Sequence, residues 1–263
     1  MVRYLVVIGS ACACLAQSHS EAAPKALLPN ITAVVNAASF QPGIVSGSWA
    51  TIIGTDLAST TRPWTDIDFA NGNLPPNLSS TGVVIAGRAG FVSYVSPTQV
   101  NVLIPDDPGL GMVTVLVTTA FTTSNIAFVN KVALAPALFT FTSKYPVAAH
   151  NSDGSYAGPG SSLPGPSTTP ARPAEVIQLF GTGFGPTNPA IPTGILFTTP
   201  APLAQNVTAT VGGVRAKVAG YLISPGVYQL NLTVPDLSDG DAPISITMGG
   251  NSTQAGLMLT IGK

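Results

Sequence analysis

The residues of this chain that could carry out a reaction are aspartates. Asp106 and Asp107 directly follow Pro105, and Asp236, Asp239 and Asp241 follow Pro235. Two carboxyl groups held at a fixed separation across a cleft can hydrolyse a glycosidic bond. These acids, however, stand at the same point of two similar stretches. There aspartate ordinarily shapes turns by accepting bonds from nearby backbone N–H groups. Other catalytic inventories fall short. Of the two histidines, His150 alone lies beyond the leader described below, next to Asn151-Ser152-Asp153-Gly154, and a solvated or turn-bonding role is expected for it. There is no Gly-x-Ser-x-Gly elbow for a serine nucleophile. One histidine without cysteine cannot complete a zinc site. Asp239-Gly240-Asp241 and Asn151-Ser152-Asp153 supply hard oxygens, but fewer than a calcium loop needs. Gly181-Thr182-Gly183-Phe184-Gly185 has the spelling of a phosphate loop, yet Pro186 and Pro189 follow where a helix would have to open. A glycine turn is expected there. No catalytic residue, cofactor or metal site is expected.

One loop has the composition of a binding surface. Trp64, Asp66 and Asp68 lie in a long irregular connection, residues 58–81, with Arg62 nearby. An exposed indole can stack on a sugar face while the acids accept bonds from its hydroxyls. The competing expectation is that Trp64 and Phe69 fold back and anchor the loop, since long ordered loops need buried apolar residues of their own. Anchoring is the stronger expectation, with Trp64, Asp66 and Asp68 retained as candidate ligand contacts.

The elements that must position these residues are strands. In residues 99–104, Val100, Val102 and Ile104 alternate with Gln99, Asn101 and Leu103. In residues 229–234, Leu230, Leu232 and Val234 alternate with Gln229, Asn231 and Thr233. A period of two sends the first set of each stretch to a core and the second to the outer face. Ile244, Ile246 and Met248 alternate with Ser245 and Thr247 in the same way. No segment beyond the leader shows a 3.6-residue apolar period, so an all-β protein is expected. The two stretches are also copies. Gln99-Val100-Asn101 and Pro105-Asp106 reappear as Gln229-Leu230-Asn231 and Pro235-Asp236, each after a Ser-Pro pair, and Ile53-Gly54-Thr55 reappears as Phe180-Gly181-Thr182. Order and spacing agree at several points, and the period fits one sandwich of about 100 residues plus connections. The expected division is a signal peptide at 1–22, a first sandwich at 30–135 and a second at 136–263. Residues 151–171, rich in Gly, Pro and Ser, are expected to form a surface loop.

Composition narrows the partners. Only 8% of residues are charged and the net charge is -1, so no face for nucleic acid is expected. Hydrophobic residues make up 45%, enough to bury a core despite 24 prolines and 27 glycines. Arg3 precedes an apolar run, residues 4–13, that is too short for a membrane span and fits an export signal. Cleavage after Ala16 or near Ala22, an uncleaved anchor, and acylation at Cys12 or Cys14 are the alternatives. Both cysteines of the chain lie in this leader, so the remainder has no thiol and no disulfide. No later stretch is apolar enough to span a membrane, and a secreted or cell-envelope location, extracellular or periplasmic, is expected.

A strand ending in glycine, a Gly-Gly hairpin and a strand closing on proline resemble the IPT/TIG class of immunoglobulin-like domains. The second copy carries them as residues 176–186 (VIQLFGTGFGP), Val211-Gly212-Gly213-Val214 and residues 228–235. The first departs from the pattern, with Asp56-Leu57-Ala58 in place of Gly-Phe-Gly. Val35-Asn36-Ala37-Ala38-Ser39-Phe40, Tyr94-Val95-Ser96-Pro97-Thr98-Gln99 and Asn151-Ser152-Asp153-Gly154 also resemble secreted acidobacterial proteins, the Solibacter-type C-terminal domain family. That resemblance implies two tandem immunoglobulin-like β-sandwich domains after a signal peptide, in an extracellular module that binds, spaces or attaches. Three functions follow as expectations. The leading one is a non-catalytic binding or adhesion module for an extracellular polysaccharide or an envelope protein. The second is a structural spacer or surface-layer pair, and the last is a glycoside-active enzyme using the strand-end aspartates.

Overall fold

The computed structural model describes residues 28–160 and 167–262. The expected signal peptide, with Cys12 and Cys14, lies outside the described residues. What is described is all-β apart from one 3₁₀ turn at Asp66–Asp68. The main strands of the first sandwich are β1 (Asn30–Asn36), β2 (Trp49–Thr55), β3 (Thr81–Ile85), β4 (Phe91–Val95), β5 (Gln99–Leu103), β6 (Gly111–Thr118) and β7 (Ala127–Lys131). Those of the second are β8 (Ala148–His150), β9 (Val176–Thr182), β10 (Val207–Val211), β11 (Val218–Ser224), β12 (Val227–Thr233), β13 (Gly240–Met248) and β14 (Met258–Ile261). In the first unit β1-β2-β5-β4 form one antiparallel sheet and β7-β6-β3 the sheet facing it. In the second, β8-β9-β12-β11 face a sheet in which β13 lies between β10 and β14. These are two immunoglobulin-like sandwiches in tandem.

The alternation read from sequence is the origin of both cores. Val100, Val102 and Ile104 are fully buried in one apolar cluster with Ile52, Val92, Val115 and Val117. Leu230, Leu232 and Val234 are buried in another with Ile177, Leu179, Ile244 and Ile246. The two copies agree in detail. Val117 N–H bonds to Ser124 Oγ as Ile246 N–H bonds to Thr253 Oγ1. The Asn125 side chain grips the backbone of Ile31 through both its atoms, and Gln254 grips Leu138 likewise. On the outer face Gln99 Nε2 donates to Asn101 Oδ1 at 2.9 Å, and Gln229 Nε2 donates to Asn231 Oδ1 at 2.7 Å.

Leu103 departs from expectation. Its place in the alternation puts it on the outer face, yet it is fully buried. The second sandwich covers it: a Cβ on Gly226 would stand 2.5 Å from Leu103 Cδ1 and 2.7 Å from Trp49.

Candidate functional site

The two sandwiches meet through backbone contacts that their sequences make possible. Ser48 is buried, and its hydroxyl accepts from Gly183 N–H at 3.0 Å. Trp49 N–H donates to Thr182 Oγ1, and its indole N–H donates to Pro225 O, each at 2.9 Å. Gly183 and Gly185 of the Gly-Thr-Gly-Phe-Gly run belong to this junction. Gly183 has a positive φ of 84°, and any Cβ there would collide with Ala135 O. A second contact joins the long loops of the two copies. Leu74 N–H donates to Gly194 O at 2.8 Å and Leu196 N–H to Gly72 O at 2.7 Å. Asp106 and Thr193 bond reciprocally: Asp106 N–H to Thr193 Oγ1 at 3.0 Å, Thr193 N–H to Asp106 Oδ2 at 2.8 Å.

Between these contacts lies a cleft of about 520 Å³, within the size range of ligand sites. Leu110, Ile191, Ile195 and Phe197 give it apolar walls, and Asp106 and Thr187 supply polar atoms. Tyr228 closes its base: the ring packs on Phe184, the hydroxyl donates to Gly185 O, and burial pushes the phenol pKa well above its ordinary value. Val132 borders both this cleft and a second groove of about 360 Å³ whose lining includes Gln41, Asn130, Asn251 and Gln254.

Each residue singled out from sequence has a definite place. Trp64 is half-buried against the first core, edge-on to Trp49 at 5.5 Å and to Phe69 at 5.1 Å. Asp68 is held by Arg62 in a two-pronged ion pair of 2.7 and 2.8 Å and also accepts from Thr65 N–H. The Arg62 guanidinium, with the Thr65 bonds, keeps the Asp68 carboxyl far below the usual carboxylate range. Asp66 is exposed on the same turn. Among the strand-end acids, Asp107 accepts from Gly109 N–H at 2.6 Å, which lowers its pKa, with further help from Lys131 and Arg88. Asp241 is engaged by Lys144 Nζ at 2.7 Å, Tyr145 Oη at 2.8 Å and Thr260 Oγ1 at 2.6 Å. Asp236 and Asp239 are exposed. Asp106 and Asp107 do line the cleft, but each is already engaged in fixing a loop. Among the described residues no three His, Cys, Asp or Glu side chains are placed to hold a metal. No helix among them is long and apolar enough to cross a membrane.

No protein-family profile matches the sequence. No curated protein matches it either. Solved structures resemble the chain at a distance. A surface glycan-binding protein of Prevotella bryantii is 10% identical, with a TM-score of 0.28 over 88% of this chain and 42% of that one. A Bacteroides ovatus protein of the mixed-linkage glucan utilization locus, in complex with a mixed-linkage heptasaccharide, is 13% identical, with a TM-score of 0.32 over 83% of this chain and 43% of that one. Domains 5–6 of the S-layer protein SbsC are 12% identical, with a TM-score of 0.26 over 89% of this chain and 98% of those domains. The chain spans less than half the length of the two glycan-related proteins. Likenesses of this size do not bear on ligand or location.

Two buried polar groups were not foreseen. Lys131 is 1% exposed, and its ammonium donates to the carbonyls of Asp107 and Gly109. It thereby ties down the loop that forms one wall of the cleft. The matching position of β14 is Ile261, since Lys131 pairs with Gly111 as Ile261 pairs with Gly240. His150, expected in solvent or in a turn, is 6% exposed. Its Nδ1 lies 3.1 Å from Glu175 Oε1 and its Nε2 2.9 Å from Thr169 Oγ1. The order hydroxyl, imidazole, carboxylate matches that of a hydrolytic relay, but the ring is enclosed by strands and borders neither depression. It pins the end of the loop at residues 151–171 to β9. That loop is thus not wholly superficial, because Tyr156–Ala157 and Thr168–Thr169 pair in parallel and bury Ala157 and Thr168.

Proposed function

We propose that the chain is a secreted, non-catalytic binding module for an uncharged extracellular polymer, a polysaccharide ahead of an envelope protein. The observation that carries this reading is the cleft between the sandwiches. Its apolar walls suit the C–H faces of sugar rings, and its polar atoms suit hydroxyls. A second groove beyond Val132 offers further polar side chains to a chain-like ligand. The turn of Trp64, Asp66 and Asp68 is carried as a further contact, with Asp66 the group free to reach a hydroxyl. The IPT/TIG assignment, and the division of the chain at residues 135 and 136, belong to the same proposal.

Binding to an array of neutral glycans tests the reading. Leu110, 63% exposed on the cleft wall, is the informative position. Leu110→Asp abolishes binding if the cleft is the site, whereas loss on Asp66→Ala with Leu110→Asp unaffected moves the site to the Trp64 turn. A chain that binds no glycan above background, with or without these changes, favours the spacer. That second reading has its own support in the doubly tied junction between the two units.

A further inference from the structure

The duplication allows one sandwich to serve as the control for the other, and they differ on the outer face of the β6–β7 sheet. Matching hydrogen bonds and strand pairs place Met112 where Asp241 stands in the second copy, Leu116 where Ser245 stands, and Phe128 where Met258 stands. In the second copy this face carries the polar side chains of Asp241, Ser245 and Thr260, and a strap engages it at one end. Asp241 is engaged by Lys144 and Tyr145, and the strap that carries them runs along β14, with Met258 N–H donating to Lys144 O at 2.8 Å. In the first copy no described segment takes the place of that strap. Met112 is 66% exposed, Phe128 67%, and Ile126, just before β7, 54%. Their outward neighbours Thr114, Leu116, Val84 and Asn130 carry no charge.

We propose that this face is a self-association surface, taken in solution by the same face of a second copy of the chain. Exposed side chains of this kind amount to on the order of 500 Å² of apolar surface, at the upper end for a monomer. With their hydroxyl and amide rim they approach the roughly 800 Å² per partner that a stable dimer buries. The absence of charge decides between occupants. A charged face meets its own like charges across a two-fold axis, and a neutral one does not. Two such sheets pack face to face at about 10 Å, with Phe128 and Met112 interdigitating with their symmetry mates.

Sedimentation velocity over a concentration series of the purified chain tests this. A dimer is expected, weakened more than about 30-fold by Phe128→Asp, as for a central apolar anchor. Met112→Asp should act likewise. Thr210→Asp, on the corresponding exposed face of the second sandwich, should leave association unchanged. Circular dichroism and melting temperature identical to the parent show that the Asp variants are folded. A chain that stays monomeric at about 100 µM, or a dimer indifferent to both Asp variants, overturns the proposal. So does a monomer in which β7 amides gain exchange protection only on adding a peptide of residues 139–146, since the face would then take an extended strap.

Discussion

Lys131 shows how much one side chain can do against the pattern around it. Strand β7 alternates Phe128 and Asn130 outward with Val129 and Lys131 inward, so the lysine points where the second copy has Ile261. Its ammonium is acceptable there because two backbone carbonyls and the Asp107 carboxylate at 3.8 Å take up its donors. Removing it takes the ammonium donor from Gly109 O and leaves Asp107 O with only the Ser46 hydroxyl. Lys131→Met is expected to lower unfolding free energy by about 1–3 kcal/mol in urea titration. It should also make the loop at residues 105–110 the first site of limited proteolysis, whereas an unchanged urea midpoint and digestion pattern would show that the loop holds itself.

At the scale of elements, the turn between β11 and β12 illustrates what a glycine position encodes. Gly226 has a φ of 69°, and the space a Cβ would need is filled by Leu103 and Trp49 of the first sandwich. A Cβ there conflicts with the backbone conformation and with the docking of the two units at once. Gly226→Ala should loosen the junction while leaving each core intact. Calorimetry is expected to show one heat-capacity peak for the parent chain and two for the variant. One peak at the parent temperature in both would mean that the junction accommodates a Cβ at Gly226 without loosening. The Ser224-Pro225 pair was legible as a mark of the repeat, but the neighbour of Gly226 across the junction was not, because residues 103 and 226 meet only after both sandwiches exist. The alternation of β5 and β12 was legible for a different reason. The side-chain period of a strand is set locally by the pleat, so one buried face writes itself into every second residue.

For the whole molecule, the few charges concern acid stability more than steering. Asp68, Asp107 and Asp241 all have pKa values lowered in the folded state. For Asp68 the chief cause is the Arg62 bond and for Asp107 the Gly109 N–H. For Asp241 burial works in the opposite direction and is outweighed by bonds from Lys144, Thr260 and Tyr145. A folded pKa below the unfolded value of about 3.9 means each group favours the folded state when ionised. That contribution is complete above about pH 5 and is lost as pH falls through the folded values. The melting temperature should therefore be level from pH 7 to about 5 and decline below about pH 4, with a shallower decline in Asp68→Asn. A melting temperature that holds level down to about pH 2 would remove these carboxylates from the account of stability.

The chain's own order of residues was enough for the all-β class, the duplicated unit and the inward aliphatic rows, because each depends on neighbours a few positions apart or on repetition of one pattern. It also showed that Trp64 stood in a loop that needed an anchor. Tertiary structure alone decided the rest. Trp64 meets Trp49 from another strand, His150 meets Glu175 and Thr169, Leu103 is covered by a second domain, and a cleft opens where two long loops pair. The reason is physical. A strand's period records which side faces inward, but which surface arrives to cover an outer position depends on contacts between units that no local pattern carries.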